Sequence, residues 1–437
     1  MEKIKIGVLG LYRGSSMINY CLAADNAELV AICDKWEEGI KLQKEKHSEY
    51  NITYYTDFDE FLNHDMDMVI LANYANEHAP FAIKAMKAGK HVFSEVLPVQ
   101  TMKEAVELVE AVEETGMLYG YAENYCYMAA PYEMRRLYRE GKLGDFQYGE
   151  GEYIHNCETV WPSLAYGDKN HWRNNMYSTF YCTHSLGPII HITGLRPVSV
   201  VGTESLLNSR NIGMGRKSGL FGIEMVTLEN GGIIKSIHGG LRKGSVWYAV
   251  YGSKGRAESA REAAKCDDNK RIYINLDSNE DTFDSIEVST YIPEREYDEQ
   301  ANKAGHGGSD FYSIWHFVEK VKGNPDADII DIYEALDMFL PGMFAYRSIL
   351  NGGKPMEIPN LRDKAVREQY RNDTMCTDPN VAGDMLIPVI STGNPDIPEE
   401  IYDKQKKIWE DSLKTGNSYI DLVMSEGEGK EEKLNKK

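Results

Sequence analysis

Paired cysteines, a surplus of basic residues and long apolar runs are all missing from this 437-residue chain, and each absence removes a class of protein. The seven cysteines, Cys21, Cys33, Cys126, Cys157, Cys182, Cys266 and Cys376, are scattered without a Cys-x-x-Cys pair. Neither a disulfide framework nor a zinc knuckle is indicated, and reduced, mostly structural thiols are expected. Lys and Arg number 48 against 68 Asp and Glu, a formal charge of -20, which argues against nucleic acid or an anionic membrane as partner and for a small ligand. No stretch approaches the apolar length of a signal sequence or a membrane span, so a soluble, cytoplasmic protein is expected. No repeat of fixed period occurs, and the length suggests two domains with an appendage.

What the chain does have is concentrated at its start. An apolar run from Ile4 reaches a turn with Gly7, Gly10, Tyr12, Arg13 and Gly14; a helical stretch follows, then a second apolar run, Leu29 to Cys33, ending in Asp34. Strand, glycine turn, helix and strand with a terminal carboxylate is the order of a dinucleotide site. Glycine lets backbone approach a pyrophosphate, the helix N-terminus offers unpaired N–H groups, and the acid accepts the adenosine ribose hydroxyls. Asp34 would repel a 2'-phosphate, so NAD is the expected cofactor.

Apolar runs at Ile4–Leu9, Leu29–Ile32, Met68–Leu71, His91–Phe93 and Leu118–Tyr121 alternate with helical patterns, which predicts a doubly wound parallel sheet over residues 1–122. One helix is closely bounded: Thr101 caps it, Glu104 completes a capping box, Ala105, Leu108, Val109 and Val112 form its apolar stripe, and Gly116 stops it. From Tyr121 the pattern turns aromatic, and a second domain, residues 123–360, is expected to be an open, mainly antiparallel sheet. Its signals are a helix near Tyr132–Glu140, strands at Phe146–Ile154 and Val246–Tyr251, and weaker strands at Arg271–Leu276 and Ile286–Ile292. Helices are predicted at Phe311–Val321 and Tyr333–Leu350. Residues 361–423 form an extension, and 424–437, mostly charge and glycine, a disordered tail.

These features resemble the Gfo/Idh/MocA oxidoreductase family over roughly residues 3–355, through the Gly7 to Gly14 turn, Asp34, the Asn73 to His78 segment and the run from Gly89 to Pro98. The resemblance implies a Rossmann domain beside a substrate-carrying sheet and places Asn73, Asn76, His78, Glu95, Val96 and Asn124 around the cofactor. The family usually reads Glu-Lys-Pro where this chain has Glu95, Val96, Leu97 and Pro98. Valine can neither donate nor accept a proton, so lysine-assisted alcohol dehydrogenation does not carry over. The NAD-retaining glycosidases of glycoside hydrolase family 109 have Glu-Val-Pro there, and further motifs are similar to theirs: Ala122 to Tyr127, Gly149 to His155, Tyr181 to Pro188 and Gly305 to Asp310. Leu97, and Ser185 in place of a glycine, depart from that branch.

By this resemblance Glu123, Tyr153, Tyr181 and His184 occupy catalytic and substrate-contacting positions. The branch oxidises a glycoside at C3 with bound NAD, loses the acidified C2 proton, expels the C1 substituent, adds water and returns the hydride. His184 would be the base or hydrogen-bond partner at the oxidised hydroxyl, Tyr153 would take the C2 proton, Glu123 would orient hydroxyls or assist protonation, and Tyr181 would line the pocket. Trp161, Trp172 and Arg173 suit sugar stacking and hydroxyl binding, or else anchor their loop. His306 has a supporting role, and Asp310 reads equally as a cap. His155, His171 and His191 stay uncommitted, and a metal between Glu123, His155 and His184 lacks any close ligand pair, so none is expected. A net NAD-dependent sugar dehydrogenase and a non-catalytic NAD or sugar sensor remain as alternatives, and homo-oligomerisation is implied by the resemblance alone.

Overall fold

The computed structural model describes residues 3–261, 270–277, 289–302 and 305–416. Six strands, β1 (Ile4–Leu9), β2 (Ala27–Cys33), β3 (Thr53–Tyr55), β4 (Met68–Leu71), β5 (His91–Ser94) and β6 (Tyr119–Tyr121), form a sheet in the order β3-β2-β1-β4-β5-β6. Every pairing is parallel. β4 is buried at all four positions, as a strand covered on both faces must be. The strand order reverses between β1 and β4, the crevice where doubly wound sheets of this order take a dinucleotide. Within this sheet β3 alone has no counterpart in the expected strands; it is three residues at the sheet edge, too short for a periodic signal. The Met102–Thr115 helix has the expected ends: Thr101 Oγ1 accepts from Glu104 N at 3.1 Å, and Gly116 takes φ 67°. Glu104 reaches back to Gln100 N at 2.6 Å, one residue before the usual partner of a capping box.

The second sheet runs β14-β13-β12-β11-β7-β10-β9-β8-β15 among the described residues. Its strands are β7 (Phe146–Ile154), β8 (Pro197–Glu204), β9 (Phe221–Leu228), β10 (Ile233–Gly239), β11 (Ser245–Gly252), β12 (Gly255–Ser259), β13 (Ile272–Leu276), β14 (Ser289–Tyr291) and β15 (Met356–Glu357). β7 pairs parallel with β10, and the other pairings are antiparallel. The expected strand over 286–292 is described only from Ser289, the helix expected from Tyr132 begins at Ala129, and the tail from 424 lies outside the described residues. The Thr183–Thr193 helix lies on β7, β10 and β11, while the Ile332–Leu350 helix packs on β8 and reaches β6 of the first sheet. Apolar side chains of both sheets and these helices form one continuous core.

Backbone meets backbone where the Thr183–Thr193 helix crosses β7, because a Cβ at Gly151 would fall 1.8 Å from the Ser185 carbonyl oxygen. Gly151→Ala must therefore displace the helix. We expect a destabilisation of about 1–3 kcal/mol or more and a loss of activity out of proportion to it; urea titration and turnover on the same preparation check this.

Residues 361–416 strap both sheets. The Lys364–Tyr370 helix binds the Met102–Thr115 helix through Arg367–Glu113 and Arg371–Glu110, at 2.8 and 2.7 Å. The Glu399–Thr415 helix lies on the 157–216 region: Tyr402 OH donates to Gly215 O at 3.1 Å, Gln405 Nε2 to Gly213 O at 3.0 Å, and Trp409 meets Tyr166 edge-on at 4.9 Å. Six cysteines are free thiols among the described residues, and no described helix is long and apolar enough to cross a membrane.

Candidate functional site

The turn after β1 is tight because Gly10 sits at φ 96°, where a Cβ would stand 2.4 Å from the Ala72 carbonyl oxygen at the end of β4. The Gly14–Ala23 helix that follows has no side-chain cap and no acid in its first turn, so its leading N–H groups are open to an anion. Asp34 is fixed at the end of β2, its Oδ2 accepting from Leu11 N and its Oδ1 from Trp36 N, both at 2.8 Å, with lone pairs left over for ribose hydroxyls. Asn73 Oδ1 and Asn76 Oδ1, beyond β4, are buried without a partner. An anion-ready helix end, a positioned carboxylate and two orphaned amide oxygens fit NAD.

Other residues expected around the cofactor also make contacts within the protein. Gly7 lies inside β1, where a Cβ would meet Met66 Sδ at 2.4 Å and Phe61 at 2.6 Å; its missing side chain makes room for the core. His78 is buried with Nδ1 on Leu97 O at 2.8 Å and Nε2 on Asn73 O at 3.3 Å. Arg13 grips Asp310 with two 2.8 Å hydrogen bonds and meets Glu95 at 2.7 Å, while Asn124 Nδ2 and His306 Nδ1 also bind Asp310, at 2.8 and 3.0 Å. Burial alone would raise the Asp310 pKa, yet the hydrogen bond from His306 and the charge of Arg13 hold it well below the usual carboxylate range. Burial pushes Glu95 up. Val96 is buried beside them, and Tyr12, 57 % exposed, places its hydroxyl 3.5 Å from Ser163 Oγ across the cleft. His171 rises on the same side, its ring 4.9 Å from Tyr74.

Beyond this clamp lies a carboxylate–imidazole pair. Glu123 is fully buried just after β6. His184 Nδ1 stands 2.7 Å from its Oε1 and 2.9 Å from its Oε2; Thr183 Oγ1 donates to Oε2 at 2.8 Å and Tyr125 N to Oε1 at 3.2 Å. An ionised carboxylate only accepts, so Nδ1 carries the proton and Nε2 is left as the basic corner of the ring. No hydrogen bond from a described residue occupies Nε2. The rings of Tyr125, Tyr153 and Tyr181 surround the imidazole at 4.5, 4.7 and 5.1 Å, and Tyr248 OH holds the His184 carbonyl at 2.5 Å. Burial raises the phenols of Tyr153, well above its ordinary value, and of Tyr181; beside Tyr181 the charge of Arg173 works the other way. Arg173 lies over Trp172 and Tyr181, at 4.4 and 5.7 Å from the ring centres.

Trp161 does not present a face to a sugar. It is 1 % exposed, packs with Ala165 and Met214, and donates from Nε1 to Asn174 Oδ1 at 2.9 Å, so it anchors its loop. His155 turns away from Glu123 and His184 to meet Cys157 Sγ at 2.9 Å, and His191 is held by Glu334 at 2.7 Å. No group of three potential metal ligands converges among the described residues. Sequence reasoning passed over His238 and Arg216. His238 sits opposite Tyr153 in the β10–β7 register, buried with both ring nitrogens unbonded, 3.5 Å from Glu224 Oε1. Burial pushes Glu224 up to about 8 and His238 down to about 3, so both are neutral near pH 7. Alternation along β10 sets His238 on one face with Ser236, but a lone strand does not say that this face is the floor of a pocket.

Comparison with known proteins agrees with this division of labour. Residues 4–123 match the Gfo/Idh/MocA oxidoreductase family, NAD-binding Rossmann fold, and residues 227–366 match the C-terminal domain of glycosyl hydrolase 109. A glycosyl hydrolase family 109 protein of Solibacter usitatus is 27% identical over 396 residues, spanning 82% of this chain and 88% of its own. One from Bacteroides thetaiotaomicron is 24% identical over 398 residues, spanning 83% and 85%. Among solved structures, scyllo-inositol dehydrogenase of Lactobacillus casei, with bound NAD(H) and scyllo-inositol, superposes with TM-score 0.63 at 18% identity, covering 82% of this chain and 99% of its own. Aldose-aldose oxidoreductase of Caulobacter crescentus gives 0.64 at 18%, covering 82% and 100%.

Proposed function

Since the chain joins a Gfo/Idh/MocA NAD-binding Rossmann domain to a glycosyl hydrolase 109 C-terminal domain, we propose that it cleaves a glycoside by transient oxidation at sugar C3, without net redox change. The observation that carries this reading is the buried Glu123–His184 pair between the cofactor crevice and the aromatic wall of β7. Bound NAD would supply a hydride acceptor that later returns the hydride, held by the open end of the Gly14–Ala23 helix and by Asp34, Asn73 and Asn76. His184 Nε2 takes the proton of the reacting hydroxyl, and Glu123 orients the ring and stabilises its charged form. Valine at position 96 leaves His184 to do this without a lysine. Tyr153 keeps its proton, as its burial dictates, and donates to the oxygen that bears enolate charge. Burial raises the Tyr181 phenol as well, with Arg173 working the other way, so Tyr181 also keeps its proton and lines the pocket. Resemblance alone makes Tyr153 the base for the C2 proton, whereas a phenol raised by burial serves as a donor.

The test is to incubate the purified, NAD-containing protein with α- and β-linked nitrophenyl glycosides while following nitrophenol and NADH together. Nitrophenol release with no accumulating NADH is the expected result. NADH accumulating without nitrophenol would replace the proposal with a net sugar dehydrogenase, and silence in both channels on a protein that binds NAD would favour a sensor.

A further inference from the structure

Buried guanidinium groups need a matching charge, and elsewhere in this molecule they have one: Arg135 holds Asp328 and Arg367 holds Glu113. Arg216 is 6 % exposed and has no acidic partner among the described residues. Its Nε donates to Ser218 Oγ at 3.0 Å, and its guanidinium lies 5.7 Å from the Trp161 ring. A Cβ at Gly240 would stand 3.6 Å from Arg216 Nη1 and 3.8 Å from the His155 carbonyl oxygen, which puts the guanidinium at the end of β7, next to the strand that carries Tyr153. Arg173, over Tyr181, is a second guanidinium without a carboxylate among the described residues. Arg210, by contrast, is matched by Glu158, which Arg242 also approaches.

Burial, with the charges of Arg173 and Arg210, pushes Arg216 down to about 10, so it stays positive near neutrality. Neutral Glu224, pushed up to about 8, supplies no compensation. The field shows at Cys157: burial opposes its ionisation, yet the hydrogen bond from His155 and the charges of Arg173 and Arg216 draw its thiol below the ordinary value. In a chain of formal charge -20, this end of the pocket is built to stabilise a negative group.

We propose that Arg216 and Arg173 form an anion subsite beside Tyr153 and Tyr181, and that the sugar taken by this pocket bears an anionic substituent, a carboxylate or a sulfate ester. The inference rests on the sugar-acting reading above and narrows its substrate class. Calorimetric titration of the NAD-containing protein at constant ionic strength compares galacturonate and galactose 6-sulfate with galactose, and with inorganic sulfate alone. The charged sugars are expected to bind about tenfold or more tighter than galactose. That preference should vanish in Arg216→Met and survive in part in Arg216→Lys. Should Arg216→Met not fold, Arg173→Gln, at a half-buried position, is expected to reduce the same preference, and a charged sugar should slow alkylation of Cys157 by iodoacetamide in the unaltered protein. Galactose binding as tightly as its charged counterparts would overturn the subsite and leave the sugar-acting reading standing. Binding of no sugar would overturn both, and sulfate binding as tightly as galactose 6-sulfate would overturn the link between subsite and sugar.

Discussion

Replacing His184 by Asn should lower turnover by about 10²–10⁴-fold while leaving the content of bound NAD unchanged. Asparagine keeps a polar group near Glu123 but removes the basic nitrogen, whereas the nucleotide is held from the other side of the crevice. Glu123→Gln should act in the same direction, because the amide cannot stabilise an imidazolium and one of the donors now gathered on the carboxylate loses its acceptor. Turnover and NAD released on denaturation would be measured on the same preparations. A His184→Asn protein within twofold of the parent rate would remove His184 from the chemistry, and with it the observation on which the proposed function stands.

The second large effect concerns stability. Arg13→Met leaves Asp310, fully buried, without its guanidinium, a change expected to cost about 3–5 kcal/mol in a denaturant titration. Asp310 has a folded pKa held below its unfolded value of about 3.9, so its stabilisation is fully present above pH ~4 and is lost as the pH falls through the folded value. The parent protein should therefore lose stability steeply below that pH, and Asp310→Asn should flatten the acid limb. An acid limb of unchanged slope in Asp310→Asn would show that the clamp does not govern it.

Features written in short sequence windows were legible, and features made by distant contacts were not. Thr101, Glu104 and Gly116 specify a helix through bonds four or fewer residues long, and Asp34 follows its glycine turn at the spacing the crevice requires. Arg13 was read as a cofactor residue because it stands in the turn, yet its partner Asp310 lies 297 residues away. Trp161 looks the same in sequence whether it faces a sugar or fills a loop, and only the contact with Asn174 decides. Glu123, Tyr153, Tyr181 and His184 were marked by resemblance to a family, and the structure brings the four side chains together. Arg216 carried no signal at all, since a charge without a partner is visible only once every neighbour is placed.

The strap formed by residues 361–416 bears on how long a nucleotide stays in the crevice. One end is tied to the Rossmann half through Glu110 and Glu113, and the other clamps the segment whose Ser163 and His171 reach over to Tyr12 and Tyr74. Swinging the halves apart would have to break contacts at both ends of the strap. A dehydrogenase that must discard a reduced nucleotide each cycle would be throttled by such a brace. For a catalyst that recovers its own hydride, a long residence time costs nothing, and one nucleotide can serve many successive substrates.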